Sequence, residues 1–80
     1  MKFLFEVSGN LKEVTRKVVP EKYFERAYIA ASKTFIIVNV EKEEEIVRLA
    51  QRLNAEAYPV LEITRLGEVI YEKGIRKIKY

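Results

Sequence analysis

The sequence predicts an α/β fold: one two-layer domain over residues 1–80, elements in the order β-α-β-α-β-β, and a mixed four-stranded sheet with helices packed on it. Three observations lead there. Thr34-Phe35-Ile36-Ile37-Val38-Asn39-Val40 is β-branched or aromatic at six of its seven positions, as in a strand covered on both faces, a type common in parallel sheets. In Glu41–Leu53, which follows it, Ile46, Leu49, Ala50 and Leu53 recur at helical spacing. Beyond it, two short apolar runs flank Leu66-Gly67, the pattern of an antiparallel hairpin.

The remaining elements follow in chain order. Lys2-Phe3-Leu4-Phe5-Glu6-Val7 is a short apolar run ended by the turn cluster Ser8-Gly9-Asn10, and reads as a strand. Residues 11–19 admit two readings. Leu11, Val14 and Val18 at helical spacing, with Asn10 and Glu13 as a capping box, favour a helix. The β-branched Val14, Thr15, Val18 and Val19 suit the second arm of a hairpin instead, which makes the alternative an α+β fold with five strands. Pro20 suits a helix start, and Phe24, Ala27, Tyr28 and Ala31 share one helical face, predicting a helix over 20–32. Four Glu near the start of the 41–53 helix suit its dipole, and Asn54 is a left-handed stop. Tyr58–Ile63 and Glu68–Glu72 are the hairpin strands, and Ile75–Tyr80 permits a terminal one. A strand–helix–strand crossover between 34 and 63 calls for a right-handed parallel unit.

Residues 34–74 resemble the second half of a thioredoxin-like domain. The matching stretches are Phe35–Val40, Glu41–Leu53, Tyr58-Pro59-Val60-Leu61 and Leu66-Gly67-Glu68-Val69. In that family the proline is cis and faces a catalytic Cys pair. Pro59 would take that position, but the thiols and the usual final helix are missing, so the resemblance implies shared architecture without redox activity.

Composition narrows function. The chain has no His, Cys or Asp, and its acidic residues are twelve Glu. Disulfides and thiolate sites need Cys, zinc sites draw on Cys and His, and most acid–base and nucleophilic sites use these same groups. No enzyme activity, cofactor, metal or small-molecule substrate is therefore expected. A 34% charged fraction with one Gln and three Asn resembles hyperthermophile proteins. No apolar run reaches membrane-span length, and Met1–Glu6 is too short for a secretion signal, so no membrane association and a cytoplasmic location are expected.

The net charge of +3 is divided unevenly: residues 1–40 carry +3, residues 41–72 carry −4 and residues 73–80 carry +4. The basic end, Lys73, Arg76, Lys77 and Lys79 with Tyr80, is a candidate nucleic-acid contact, since basic groups neutralise phosphates and tyrosines stack on bases. Its plainer reading is an edge strand whose lysines block unwanted pairing. Tyr23, Tyr58 and Tyr80 are candidates for a subunit contact. The Glu41, Glu43, Glu44, Glu45 run points around a helix rather than at one cation, and Ser32-Lys33 reads as a helix end, not a nucleophile with its base. Three glycines, Gly9, Gly67 and Gly74, spell no phosphate loop. The expectation is a non-catalytic interaction or oligomerisation module, a homodimer or the partner of another protein. The alternative is a nucleic-acid-binding protein using residues 73–80.

Overall fold

A strand that is apolar on both faces needs cover above and below and a partner on each edge. β3 (Lys33–Asn39) is such a strand, with its five central residues buried. The computed structural model describes residues 1–8, 19–30 and 32–77, and it supplies all four requirements. On one edge β1 (Lys2–Val7) pairs antiparallel along its whole length, from Lys2 opposite Asn39 to Val7 opposite Thr34. On the other edge lies β2 (Phe24–Ala30), also antiparallel.

Side chains alternate across a strand, so β1 and β3 feed two cores. Phe3, Phe5, Val7, Ile36, Val38 and Val40 point to one face, where α1 (Glu43–Leu53) covers them with Ile46, Leu49 and Leu53. Leu4, Phe35 and Ile37 point to the other. There the cover is Val69 and Tyr71, from β5 (Glu68–Tyr71), with partly buried Val60 and Ile63 from β4 (Ala57–Ile63). The last described strand is β6 (Gly74–Lys77). The sheet order is β2-β3-β1-β4-β5-β6, and every pairing is antiparallel.

The sheet is strongly curled. Strands in a flat sheet sit about 4.8 Å apart, which would put β6 roughly 14 Å from β1, three places away. Yet Arg76 Nη2 of β6 is 3.1 Å from Glu6 Oε1 of β1, and its guanidinium carbon is 4.7 Å from the Phe35 ring centroid on β3. The six strands thus form one half-barrel, with a single helix among the described residues.

This corrects the predicted fold class. The mixed four-stranded sheet with helices on it, and its five-stranded alternative, give way to six antiparallel strands. β3 is buried on both faces because the sheet curls over it, not because it pairs in parallel. β3 and β4 do run the same way, but β1 lies between them, antiparallel to both. The helix predicted over 20–32 is replaced by a short turn, with Phe24 N–H donating to the Pro20 and Glu21 carbonyls at 3.2 Å, and then by β2. Its apolar spacing misleads for a specific reason. The register with β3 shifts between Phe24 and Arg26, and the extra residue of a bulge turns Phe24 and Ala27 to the same face although they are three apart. A bulged strand then imitates helical spacing. The choice between helix and hairpin arm for 11–19 falls, apart from Val19, outside the described residues; Val19 is buried in the helix-side core.

The helix predicted over 41–53 is present as α1, with Glu43, Glu44 and Glu45 in its first turn. Asn54 ends it in the left-handed region (φ 51°), and the Ala55 N–H donates to the Ala50 carbonyl at 3.1 Å. Between β4 and β5, Gly67 turns the chain at φ 82° while Thr64 Oγ1 accepts from the Glu68 N–H at 3.1 Å. Pro59 lies in β4 opposite Phe3, and no described peptide bond is cis.

Candidate functional site

The curl brings charged groups from both ends of the chain together in the half-barrel. Glu6 lies two residues beyond Leu4 on β1 and so shares its inward face. Its Oε1 accepts from Arg76 Nη2 at 3.1 Å and from the Tyr71 hydroxyl at 3.5 Å. Arg76 Nε in turn donates to the Tyr71 hydroxyl at 3.3 Å, and Lys33 Nζ stands 3.7 Å from Glu6 Oε2. The hydrogen bonds to Tyr71 and Glu6 hold the Arg76 pKa above its usual value. Tyr28 stacks on Phe35 with centroids 5.1 Å apart. Its hydroxyl is buried with no hydrogen-bond partner among the described residues, and burial pushes its pKa up to about 12. Glu6 thus meets two cations and a phenol, an arrangement that ties strands together.

The candidate nucleic-acid residues separate in space. Arg76 is turned inward onto Glu6 and Phe35. Lys73, in the turn before β6, sits 3.5 Å from Glu56 Oε2 and 5.1 Å above the Tyr58 ring. Lys77 is opposite Glu68 in the β5–β6 register. Lys79 and Tyr80 lie outside the described residues. Part of the basic end thus answers acidic residues of its own chain.

The candidate interface tyrosines are also partly used in packing. Tyr58 borders the inner core, 5.5 Å from the Tyr71 ring, and its hydroxyl donates to Glu56 Oε2 at 3.0 Å. That bond raises the Tyr58 pKa. Tyr23 packs against the helix-side core beneath Lys22, whose Nζ is 4.8 Å from the ring centroid. Lys22, Tyr23, Asn39, Val40, Glu41 and Glu45 line a cavity of about 390 Å³. Glu41, Glu43 and Glu44 are exposed, and no three described carboxylates converge to hold a metal. Ser32 and Lys33 stand at the β2–β3 connection, Ser32 with φ 63°, and not at a helix end.

The remaining feature is the contrast between the two edges of the sheet that the described residues form, β2 and β6. An open edge presents unpaired N–H and C=O groups, and proteins blunt it with lysines, prolines or bulges. β6 is basic, with Lys73 before it and Arg76 and Lys77 within it. β2 has its bulge at Phe24–Arg26, but Ala27-Tyr28-Ile29-Ala30 carries no charge and no proline. Ile29 is 60% exposed there. Reading 20–32 as a helix hid this edge; the β-branched and aromatic content of Tyr23, Phe24, Tyr28 and Ile29 was the available signal. No protein-family model, curated protein or solved structure matches the chain.

Proposed function

We propose that the protein is a non-catalytic interaction module that associates through the outer edge of β2. The observation that carries the reading is the asymmetry in charge between the edges of the described sheet: both edges expose an isoleucine, Ile29 on β2 and Ile75 on β6, but in β6 it is followed directly by Arg76 and Lys77, whereas Ala27–Ala30 of β2 carries no charge. Strand addition to such an edge draws affinity from main-chain hydrogen bonds and selectivity from alternate side chains. The inward commitment of Arg76 and Glu6 supports the same reading, since it takes the best-placed charged groups into the fold. Chemistry at Glu6 would require a carboxylate released from Arg76, Tyr71 and Lys33.

The test is the size of the native species, for the purified chain and for the chain in cell extract, compared with an Ile29→Lys variant. Ile29 is exposed, so the substitution adds an edge lysine without emptying a core position. The reading expects the wild type in a species larger than one chain in at least one setting, and the variant as a single chain. A wild type that runs as one chain in both settings contradicts it.

A further inference from the structure

We infer that the partner of the β2 edge is a second copy of this chain, paired antiparallel about a two-fold axis centred on Tyr28; the inference rests on the association reading above. The regular ladder of β2 with β3 runs from Arg26 opposite Ile37 to Ala30 opposite Lys33, and the bulge closes it on the N-terminal side. A bulge twists an edge away from further pairing. Pairing is thus confined to Arg26–Ala30. An isologous strand pair that uses this whole segment has one register: Arg26 opposite Ala30, Ala27 opposite Ile29, and Tyr28 opposite Tyr28.

That register is self-complementary. Ala27 packs against the helix-side core and Ile29 lies opposite Thr34 on the same face. Each copy therefore sets its exposed Ile29 against the other's Ala27, and two short apolar strips become one. On the opposite face the two Tyr28 rings form an aromatic cross-strand pair, a favourable kind. Arg26 is the segment's one charge, and its counterpart is Ala30, so no like charges face each other.

The competing arrangements fare worse. Pairing β6 with itself gathers Arg76 and Lys77 of both copies, four cationic residues, along one four-residue seam. Pairing β2 with β6 head to tail is heterologous, and a contact of that kind grows into open filaments unless its rotation closes. A five-residue edge is small, and association has a large entropic cost, so the dimer is a weak one that dissociates in roughly the high-micromolar range.

The chain has no Cys, which gives a direct test. Ala27→Cys and Ile29→Cys chains are mixed under oxidising conditions, with each variant alone as a control, and the purified wild type is sedimented up to high concentration. The inference expects the mixed pair to form the interchain disulfide at least about tenfold faster than either variant alone, because position 27 faces position 29 across the axis and neither faces its own copy. It also expects a monomer–dimer equilibrium that Ile29→Lys shifts at least about tenfold toward monomer and that Ile75→Lys on the other edge leaves unchanged. A circular dichroism spectrum shared with the wild type establishes that each variant is folded. Equal cross-linking in all three mixtures, or a dimer lost with Ile75→Lys instead, overturns the inference. A purified chain that stays monomeric, yet enters an Ile29-dependent larger complex in extract, overturns the second copy as partner and leaves the association reading standing. A monomer in both settings removes both.

Discussion

Glu6 on the first strand and Arg76 on the last described strand meet at 3.1 Å, although β4 and β5 lie between their strands in the sheet. The contact joins residues 70 positions apart. It is possible only because the sheet curls, and it holds the curl across its concave side. Arg76 adds a ring contact with Phe35 and a hydrogen bond to Tyr71, so one side chain touches β1, β3 and β5.

Replacing Arg76 should therefore act on stability. Its side chain is 37% exposed and that of Glu6 is 21% exposed, so solvent weakens the pair, and Arg76→Ala should cost about 1–2 kcal/mol in denaturant unfolding. Arg76→Lys should recover part of this, because an ammonium restores the charge but not the planar stacking on Phe35. A double-mutant cycle with Glu6→Gln should show coupling. Additive effects of the two substitutions would contradict the latch.

Tyr28 makes the opposite prediction. Its hydroxyl is buried without a partner among the described residues, so Tyr28→Phe should be neutral or stabilising, where loss of a bonded hydroxyl would destabilise. The pH dependence follows from the raised pKa. The unfolded tyrosine ionises near 10 and the folded one at about 12. Stability from the protonated phenol is thus fully present below pH 10 and is lost as pH rises from 10 through 12. Other tyrosines and lysines titrate in that window, so the measurement is the difference between wild type and Tyr28→Phe. The wild type should lose stability more steeply there, and parallel curves would contradict the assignment.

Gly67 tests the hairpin that positions β5. Its φ of 82° is one that only glycine adopts without strain. Gly67→Ala should destabilise the protein by about 1 kcal/mol in thermal or chemical unfolding. Unchanged stability would mean that the turn rearranges at no cost.

The sequence displays some of this architecture openly and hides the rest. β3 and α1 are legible because Phe35–Val38 and the Ile46, Leu49, Leu53 series each fit one period, and local pattern and tertiary role agree. β2 is not legible, because its bulge carries Phe24 and Ala27 to one face and so reproduces the three-residue step of a helix. Sheet order is hidden for another reason: β1 inserts between β3 and β4, a long-range choice that no local signal encodes. Glu6 reads as a charge in an apolar run, and its role emerges only when the curl delivers Arg76 to it. The same curl spreads the basic residues that lie together in sequence, turning Arg76 inward while Lys73 meets Glu56 outside.

Amide hydrogen exchange resolved along the chain, at increasing protein concentration and with extract as a source of partners, tests association through β2 most directly. Outward-facing amides within Ala27–Ala30 have no strand partner among the described residues and should exchange quickly when dilute, then slow as a partner occupies the edge. Amides of Gly74–Lys77 on the basic edge should keep their rates. Protection that appears at β6 and not at β2, or at neither edge in any setting, would contradict the account.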